Sequence, residues 1–291
     1  MTWKRVATAV ILIPVVVGLV LFASTACVAL FLGLVVLLAL LEYFSLGDAV
    51  GHRAYRFWTA SCGLLLVYVQ WVQAVEPSYQ LAGGLVLQRQ IWRFAQGLPS
   101  TQAAFFVFVL GVALLTVWTR RPLVEALPAA GISSSGLLLV AFPLSFAVRL
   151  HGVSQEGPRV LLFALVIIWA GDTVAYFVGR SIGRHPLAPH LSPKKTWEGS
   201  VGSLLGSLLV GVVFTRWLSA PLTHLLAMAG AGNVAGQIGD ALESAYKRSA
   251  GVKDSGGLLP GHGGVLDRID ALILAIPVVW YYWTLIYSPG S

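Results

Sequence analysis

Asp240, Glu243, Ser244 and Lys247 recur at i, i+3, i+4 and i+7, which on an α-helix is one face. Gly230, Gly232, Gly236 and Gly239 precede them, so a neighbouring helix or a ligand can come close to the backbone. The segment GVKDSGGLLPGHGGVLDRID follows. Its six glycines between positions 251 and 264, with Pro260, forbid a regular helix and predict a compact loop whose amides can converge on an anion. Asp267 and Asp270 then stand one helical turn apart, with Arg268 between them. Two carboxylates so placed repel unless a cation or a proton lies between them. Hard oxygen ligands of this kind suit Mg²⁺, which takes one or two carboxylates and keeps waters for substrate phosphates. Two plainer readings stay open: an Asp/Glu–Lys ladder at a helix end, and a capped helix start with an Asp–Arg ion pair.

A third cluster reads RSIGRHPLAPHLSPKKTWEGS. Pro186, Pro189 and Pro193 break helix, and Ser192-Pro193 predicts a helix start with proline in its first turn. Lys194 and Lys195 then stand near that N-terminus, where backbone amides and two ammonium groups together make a phosphate site. The alternative is positive charge that only sets membrane topology or meets anionic lipid. Asp172 and Asp240 fall inside apolar runs. A carboxylate in a membrane span costs at least ~2.5–3.5 kcal/mol, so each is expected to face a bundle interior or a watery cavity. His185, His190 and His262 form no zinc pattern such as H-E-x-x-H, and no zinc is expected.

The elements that must position these groups are membrane helices. Of 291 residues, 57% are hydrophobic and 11% charged, against about 25% charged in a soluble domain. The mean hydropathy is +0.81. This excludes a disordered chain, a cytosolic enzyme of ordinary surface and a nucleic-acid binder, despite a net charge of +7. Two cysteines, Cys27 and Cys62, near opposite membrane faces, exclude a disulfide framework or a cysteine metal cluster. With roughly 20 apolar residues per crossing, nine spans are expected: 7–23, 25–46, 57–75, 102–119, 131–148, 160–179, 197–215, 221–246 and 270–287. A cytoplasmic N-terminus and an outer C-terminus leave only Arg89, Arg93, Arg149, Arg159 and Arg216 of the 19 Lys and Arg outside. The first span alternatively reads as a signal peptide.

The fold class expected is therefore an all-α polytopic membrane bundle, N-inside and C-outside, in two regions. Residues 1–150, with about five spans, read as scaffold, and residues 151–291, with about four, as the catalytic region. Seven of the 12 acids lie from Asp172 onward, whereas Glu42, near the inner end of the second span, falls in the scaffold. The loop 76–101 is expected to hold a short interfacial helix around residues 86–94.

Residues 240–270 resemble the phosphatidate cytidylyltransferase (CDP-diacylglycerol synthase) family. The resemblance rests on Ser244, Lys247-Arg248, Lys253-Asp254, Gly256, Leu259-Pro260, His262-Gly263-Gly264 and Asp267-Arg268-Ile269-Asp270. Tyr246 departs from it, standing where the family has an aliphatic residue or Phe, and Ala241 replaces a common Leu; both touch packing rather than chemistry. An upstream block looks like the same family: Trp169, Asp172-Thr173, Ala175-Tyr176, Gly179-Arg180, Gly183 and Ser192-Pro193-Lys194-Lys195-Thr196-Trp197-Glu198-Gly199. Residues 1–168 match in hydropathy alone.

The resemblance implies the reaction CTP + phosphatidate → CDP-diacylglycerol + pyrophosphate, with Mg²⁺ and a potassium ion as the candidate second cation. It also implies a multi-pass protein of a bacterial inner membrane, its active site toward the cytoplasm, and a homodimer. On that basis Asp240, Asp267 and Asp270 are expected as metal ligands, with Asp172 and Glu243 as auxiliary acids. Lys194, Lys195, Lys247, Arg248 and Arg268 are expected to clamp the triphosphate and the lipid phosphate. Ser192, Thr196, His262 and the Gly263-Gly264 backbone would line the nucleotide side. Asp240, Asp267, Lys195 and Arg268 are the expected catalytic groups. A transporter with intramembrane acids is the reading from another class, disfavoured by acids gathered at one membrane face without an internal repeat. A CTP-dependent lipid kinase is a nearer alternative.

Overall fold

The computed structural model describes residues 2–81, 100–119, 122–258 and 263–287. Helices α1 (Thr2–Phe22) and α2 (Thr25–Ala49) meet at Ser24, whose hydroxyl accepts from the Cys27 amide at 3.3 Å and caps α2. Helix α3 (Arg56–Leu81) runs past the predicted end of the third span. Helix α4 (Thr101–Trp118) starts on a Ser100 cap. The expected helix around residues 86–94 lies outside the described residues, while residues 76–81, expected to be loop, continue α3.

The fifth predicted span is built from α5 (Ala126–Gly136) and α6 (Phe142–Gly152), joined by a π-helical turn over Leu137–Ala141. Pro143, at the start of α6, has no amide to donate and crowds the preceding turn, and the wider π turn absorbs the misfit. The last span repeats the device: α10 (Leu266–Tyr281) contains Pro277 and ends in a π turn over Tyr282–Tyr287. Between them lie α7 (Gly157–Ile182), α8 (Trp197–Phe214) and α9 (Leu222–Ser249).

Each of the nine predicted spans falls within one of these helical runs, to within one residue at its ends, in agreement with an all-α polytopic membrane protein. Six runs are long and apolar enough to cross a membrane by length and composition. These six, counted among the described residues, leave out the first, third and eighth predicted spans, in α1, α3 and α9; in α9 the run is interrupted by Asn233, Gln237, Asp240 and Glu243. Large apolar side chains such as Phe22, Phe57, Leu205, Val213 and Leu285 point outward, as expected of a surface solvated by lipid.

One prediction fails at residues 186–196. Ser192-Pro193 does not start a helix. Strands β1 (Pro186–Ala188) and β2 (Ser192–Thr196) form an antiparallel hairpin, pairing Pro186 with Thr196 and Ala188 with Ser192. Proline's fixed φ suits an extended edge as well as a helical first turn. The better cap lies four residues later, where the Thr196 hydroxyl accepts from the Gly199 amide at 3.1 Å and starts α8. Lys194 and Lys195 thus sit on a strand that leads into the helix, not in the helix's first turn.

Glycines set how closely the last helices pack. A Cβ on Gly202 would stand 2.9 Å from Val178, and one on Gly206 2.8 Å from Val174, so α8 lies against α7 with backbones close. On α9, a Cβ at Gly239 would stand 2.5 Å from the Asp270 carbonyl oxygen, which brings the first turns of α10 beside Asp240.

Candidate active site

Helices α7, α8 and α9 and the hairpin enclose a cavity of about 540 Å³. Its wall carries Asp172, Tyr176 and Arg180 from α7, Ser192, Lys194, Lys195 and Thr196 from β2, and Asp240 and Ser244 from α9. Six of the sequence-predicted residues therefore share one hollow: Asp172, Ser192, Lys194, Lys195, Thr196 and Asp240. The Lys195 ammonium forms an ion pair with Asp240. Asp172 lies within electrostatic reach of Asp240, Lys195 and Arg268. Lys194 has no hydrogen-bond or ion-pair partner among the described residues and lines the same wall.

Of the other predicted residues, Glu243, Lys247, Gly263, Gly264, Asp267, Arg268 and Asp270 gather next to that cavity, where α9 meets α10. Lys247 sits between two carboxylates, 2.5 Å from Glu243 and 2.6 Å from Asp267. The predicted single face of α9 is thus divided: Asp240 and Ser244 turn to the cavity, whereas Glu243 and Lys247 turn to α10. Helical spacing places residues within about a 100° stripe, and two neighbours can share that stripe. The i, i+4 ladder between Glu243 and Lys247 does form, as the plainer reading held.

Asp267 is also held by backbone amides, from Ser255 at 3.0 Å and Gly264 at 2.8 Å. Gly263 is needed there on two counts. Its φ is +81°, and a Cβ would stand 2.7 Å from the Asp267 carboxylate. Asp270 lies within electrostatic reach of Asp240, Glu243 and Asp172, and so joins the two groups. Arg248, expected on a phosphate, donates to the Leu191 carbonyl at 3.2 Å and the Val252 carbonyl at 3.0 Å, bracing the hairpin against the end of α9. His262 lies outside the described residues.

Sequence reasoning missed two features. The first is a polar chain across the inner wall. Ser200 bonds Gln237, whose amide donates to Asn233 at 2.7 Å. Asn233 donates to Ser203 at 2.9 Å and Ser207 at 2.8 Å, and Ser207 donates to the Ile167 carbonyl at 2.7 Å. The signal was present as Asn233 and Gln237 at i, i+4 and as Ser200, Ser203 and Ser207 at i, i+3, i+7. The second is Glu42, whose carboxylate reaches Ser255, Val265 and Leu266. Nothing local to α2 announces it, since its partners are more than 200 positions away.

Tyr246, the departure from the family pattern, packs edge-on against Tyr43 of α2 with ring centroids 5.7 Å apart. Its effect is on packing.

The donor set fits a hard divalent ion by chemistry. Asp172 and Asp240 share the cavity, and Asp270 lies in their field, all of them oxygen ligands. Among the described residues, no group of three or more His, Cys, Asp or Glu side chains is gathered into a ready-made metal cage. One or two carboxylates suffice for Mg²⁺ when water and phosphate complete the shell.

The model of the cytidylyltransferase family matches residues 3–286. A phosphatidate cytidylyltransferase of Haemophilus influenzae is 31% identical over 289 residues, covering 96% of this chain and 98% of the relative. One from Bacillus subtilis is 34% identical over 189 residues, 64% of this chain and 69% of the relative. One from Staphylococcus saprophyticus is 44% identical over 151 residues, 49% and 56% respectively.

Proposed function

This chain belongs to the cytidylyltransferase family, and from that membership we propose that it transfers the cytidylyl group of CTP to phosphatidate, giving CDP-diacylglycerol and pyrophosphate. A phosphate oxygen of the lipid attacks the α-phosphorus of CTP in line. The bond from that phosphorus to the bridging oxygen breaks, and pyrophosphate leaves with the electron pair. Such a transfer asks for positioning and charge neutralisation rather than a covalent nucleophile.

The observation that carries the reading is the shared wall of acids and lysines. Lys194 and Lys195 face the cavity beside Asp172 and Asp240, which supports binding of a polyphosphate together with a cation. Lys194, whose ammonium has no partner among the described residues, is the first ammonium available to a phosphate. Lys195 holds Asp240 in place and can pivot toward an incoming triphosphate. Ser192 and Thr196 line the nucleotide side, and Arg248 keeps the hairpin that carries both lysines against α9. Arg268 and Lys247 stand next to the acids and are placed to receive the lipid phosphate or pyrophosphate. The Gly263-Gly264 backbone would line the nucleotide side, with His262 proposed as a further contact to the nucleotide.

Asp172, Asp240 and Asp270 would hold Mg²⁺, with Asp267 joining them if Lys247 gives up its carboxylate, and Glu243 as an auxiliary acid. The ion supplies neutralisation of the charge that builds on the phosphates, with K⁺ as the candidate second cation. In the same reading the chain has nine spans, with its N-terminus and active site on the cytoplasmic side of an inner membrane, and works in phospholipid synthesis as a homodimer. The 14 Lys and Arg assigned to that side support this orientation.

The test is incubation of the purified full chain with labelled CTP and phosphatidate, first with Mg²⁺ and then with a chelator. CDP-diacylglycerol and pyrophosphate are expected with Mg²⁺ and neither after chelation. Release of CDP with a newly phosphorylated lipid would show a kinase instead.

A further inference from the structure

Glu42 lies in α2, far in sequence from every other part of the candidate site, and is only 5% exposed. A carboxylate buried in a membrane-spanning bundle is costly unless donors meet its lone pairs. The donors that meet this one come from the glycine-rich loop and the start of α10: the Ser255 hydroxyl at 3.1 Å, the Val265 amide at 2.9 Å and the Leu266 amide at 2.8 Å. The two amides belong to the first turn of α10, where N–H groups have no partner inside the helix and the helix dipole favours an anion.

The loop is shaped to this side chain. A Cβ on Gly256 would stand 2.6 Å from the Glu42 carboxylate, and one on Gly264 would run into it and into Ser255. The same few residues also hold Asp267, through the amides of Ser255 and Gly264. The described residues at the two ends of the loop, Ser255-Gly256 and Gly264-Val265, are therefore held between two carboxylates, one from each half of the chain.

We propose that Glu42 is a positioning residue for nucleotidyl transfer, fixing the glycine-rich loop and the first turn of α10 so that Asp267, Arg268 and Asp270 keep their places beside the cavity. The activity part of this inference rests on the function proposed above; the part concerning loop order does not. Reacting groups displaced by about 1 Å lose rate by about a hundredfold, so a latch that touches no substrate still governs turnover.

The test is Glu42→Gln in the full chain. Glutamine keeps the shape, but one of its two terminal groups donates, so it cannot accept from all three partners. Turnover is expected to fall roughly 10–100-fold while KM for CTP and for phosphatidate each change less than about threefold. Hydrogen exchange of the Val265 and Leu266 amides is expected to accelerate, with protection elsewhere in the bundle unchanged. Ser255→Ala removes one of the three donors and is expected to give the same pattern more weakly.

Wild-type turnover in Glu42→Gln, or protection lost evenly through all helices, would overturn the proposal. Should Glu42→Gln not fold, Ser255→Ala decides: wild-type turnover with unchanged exchange overturns it. Should the wild-type chain make no CDP-diacylglycerol, the functional reading fails, while the exchange of Val265 and Leu266 still shows whether Glu42 holds the loop.

Discussion

The two regions of this molecule both tie helices together with buried polar groups, but they differ in where like charges gather. In α1 to α6 the ties run between separate helices or their ends. His151, buried in α6, joins the Val20 carbonyl at 3.1 Å and the Thr25 hydroxyl at 3.0 Å, and the buried Ser133 hydroxyl accepts from the Tyr55 amide at 2.8 Å. In the second half like charges stand together around a hollow: Asp172, Asp240 and Asp270 share one field, relieved by Lys195 and Arg268. Paired groups hold a structure together, and mutually repelling groups are retained where a ligand of opposite charge is to be bound. Glu42 joins the two regions, a scaffold residue whose carboxylate bonds, among the described residues, to Ser255 of the site loop and to the start of α10.

The largest effect should come from the charges at the cavity. Lys195→Ala removes an ammonium from the proposed phosphate site and leaves Asp240 unopposed. Transfer of label from CTP to lipid is expected to fall by about 10³-fold or more, with helical content by circular dichroism unchanged. A loss under tenfold would move the phosphate site elsewhere. Gly171→Ala comes next. Its Cβ would stand 2.6 Å from Asn233, 2.8 Å from Ser203 and 2.9 Å from Ser207, so the polar chain and the adjoining Asp172 must shift. Overpacking of this kind costs about 1–3 kcal/mol, to be read as a lowered unfolding temperature in detergent together with reduced turnover. An unchanged unfolding temperature would show that the helices yield freely there.

Arg248→Ala is expected to act more mildly, raising KM for CTP by roughly three- to tenfold through a looser hairpin. Steady-state titration of CTP checks this; an equal fall in turnover at unchanged KM would place Arg248 on the reacting phosphates. At the other end, His151→Leu leaves the Val20 carbonyl and Thr25 hydroxyl without that partner. A stability loss of about 1–3 kcal/mol with turnover per folded molecule unchanged is expected. A fall in turnover there would erase the contrast between the halves.

How much of this was legible in the sequence follows from the range of each interaction. Helices are local, so hydropathy over about 20 residues found them. Motif residues within one segment were found as well, because Asp240, Lys194 and Lys195 carry recognisable chemistry. The hairpin was misread since Ser192-Pro193 satisfies a helix start and an extended edge alike; pairing with residues 186–188 decided between them. The partition of α9, with Asp240 toward the cavity and Lys247 toward Asp267, depends on where α10 crosses at Gly239, which spacing on one helix does not encode. Glu42 depends on contacts across more than 200 positions and looked like any acid near a helix end.

The most direct test of the central claim is to compare wild-type chain with Asp240→Asn, purified side by side, for CDP-diacylglycerol and pyrophosphate formed from CTP and phosphatidate in the presence of Mg²⁺. Equal amounts of both products from the wild type, and neither above background from a folded Asp240→Asn, are the expected result. Wild-type product levels from Asp240→Asn would contradict it.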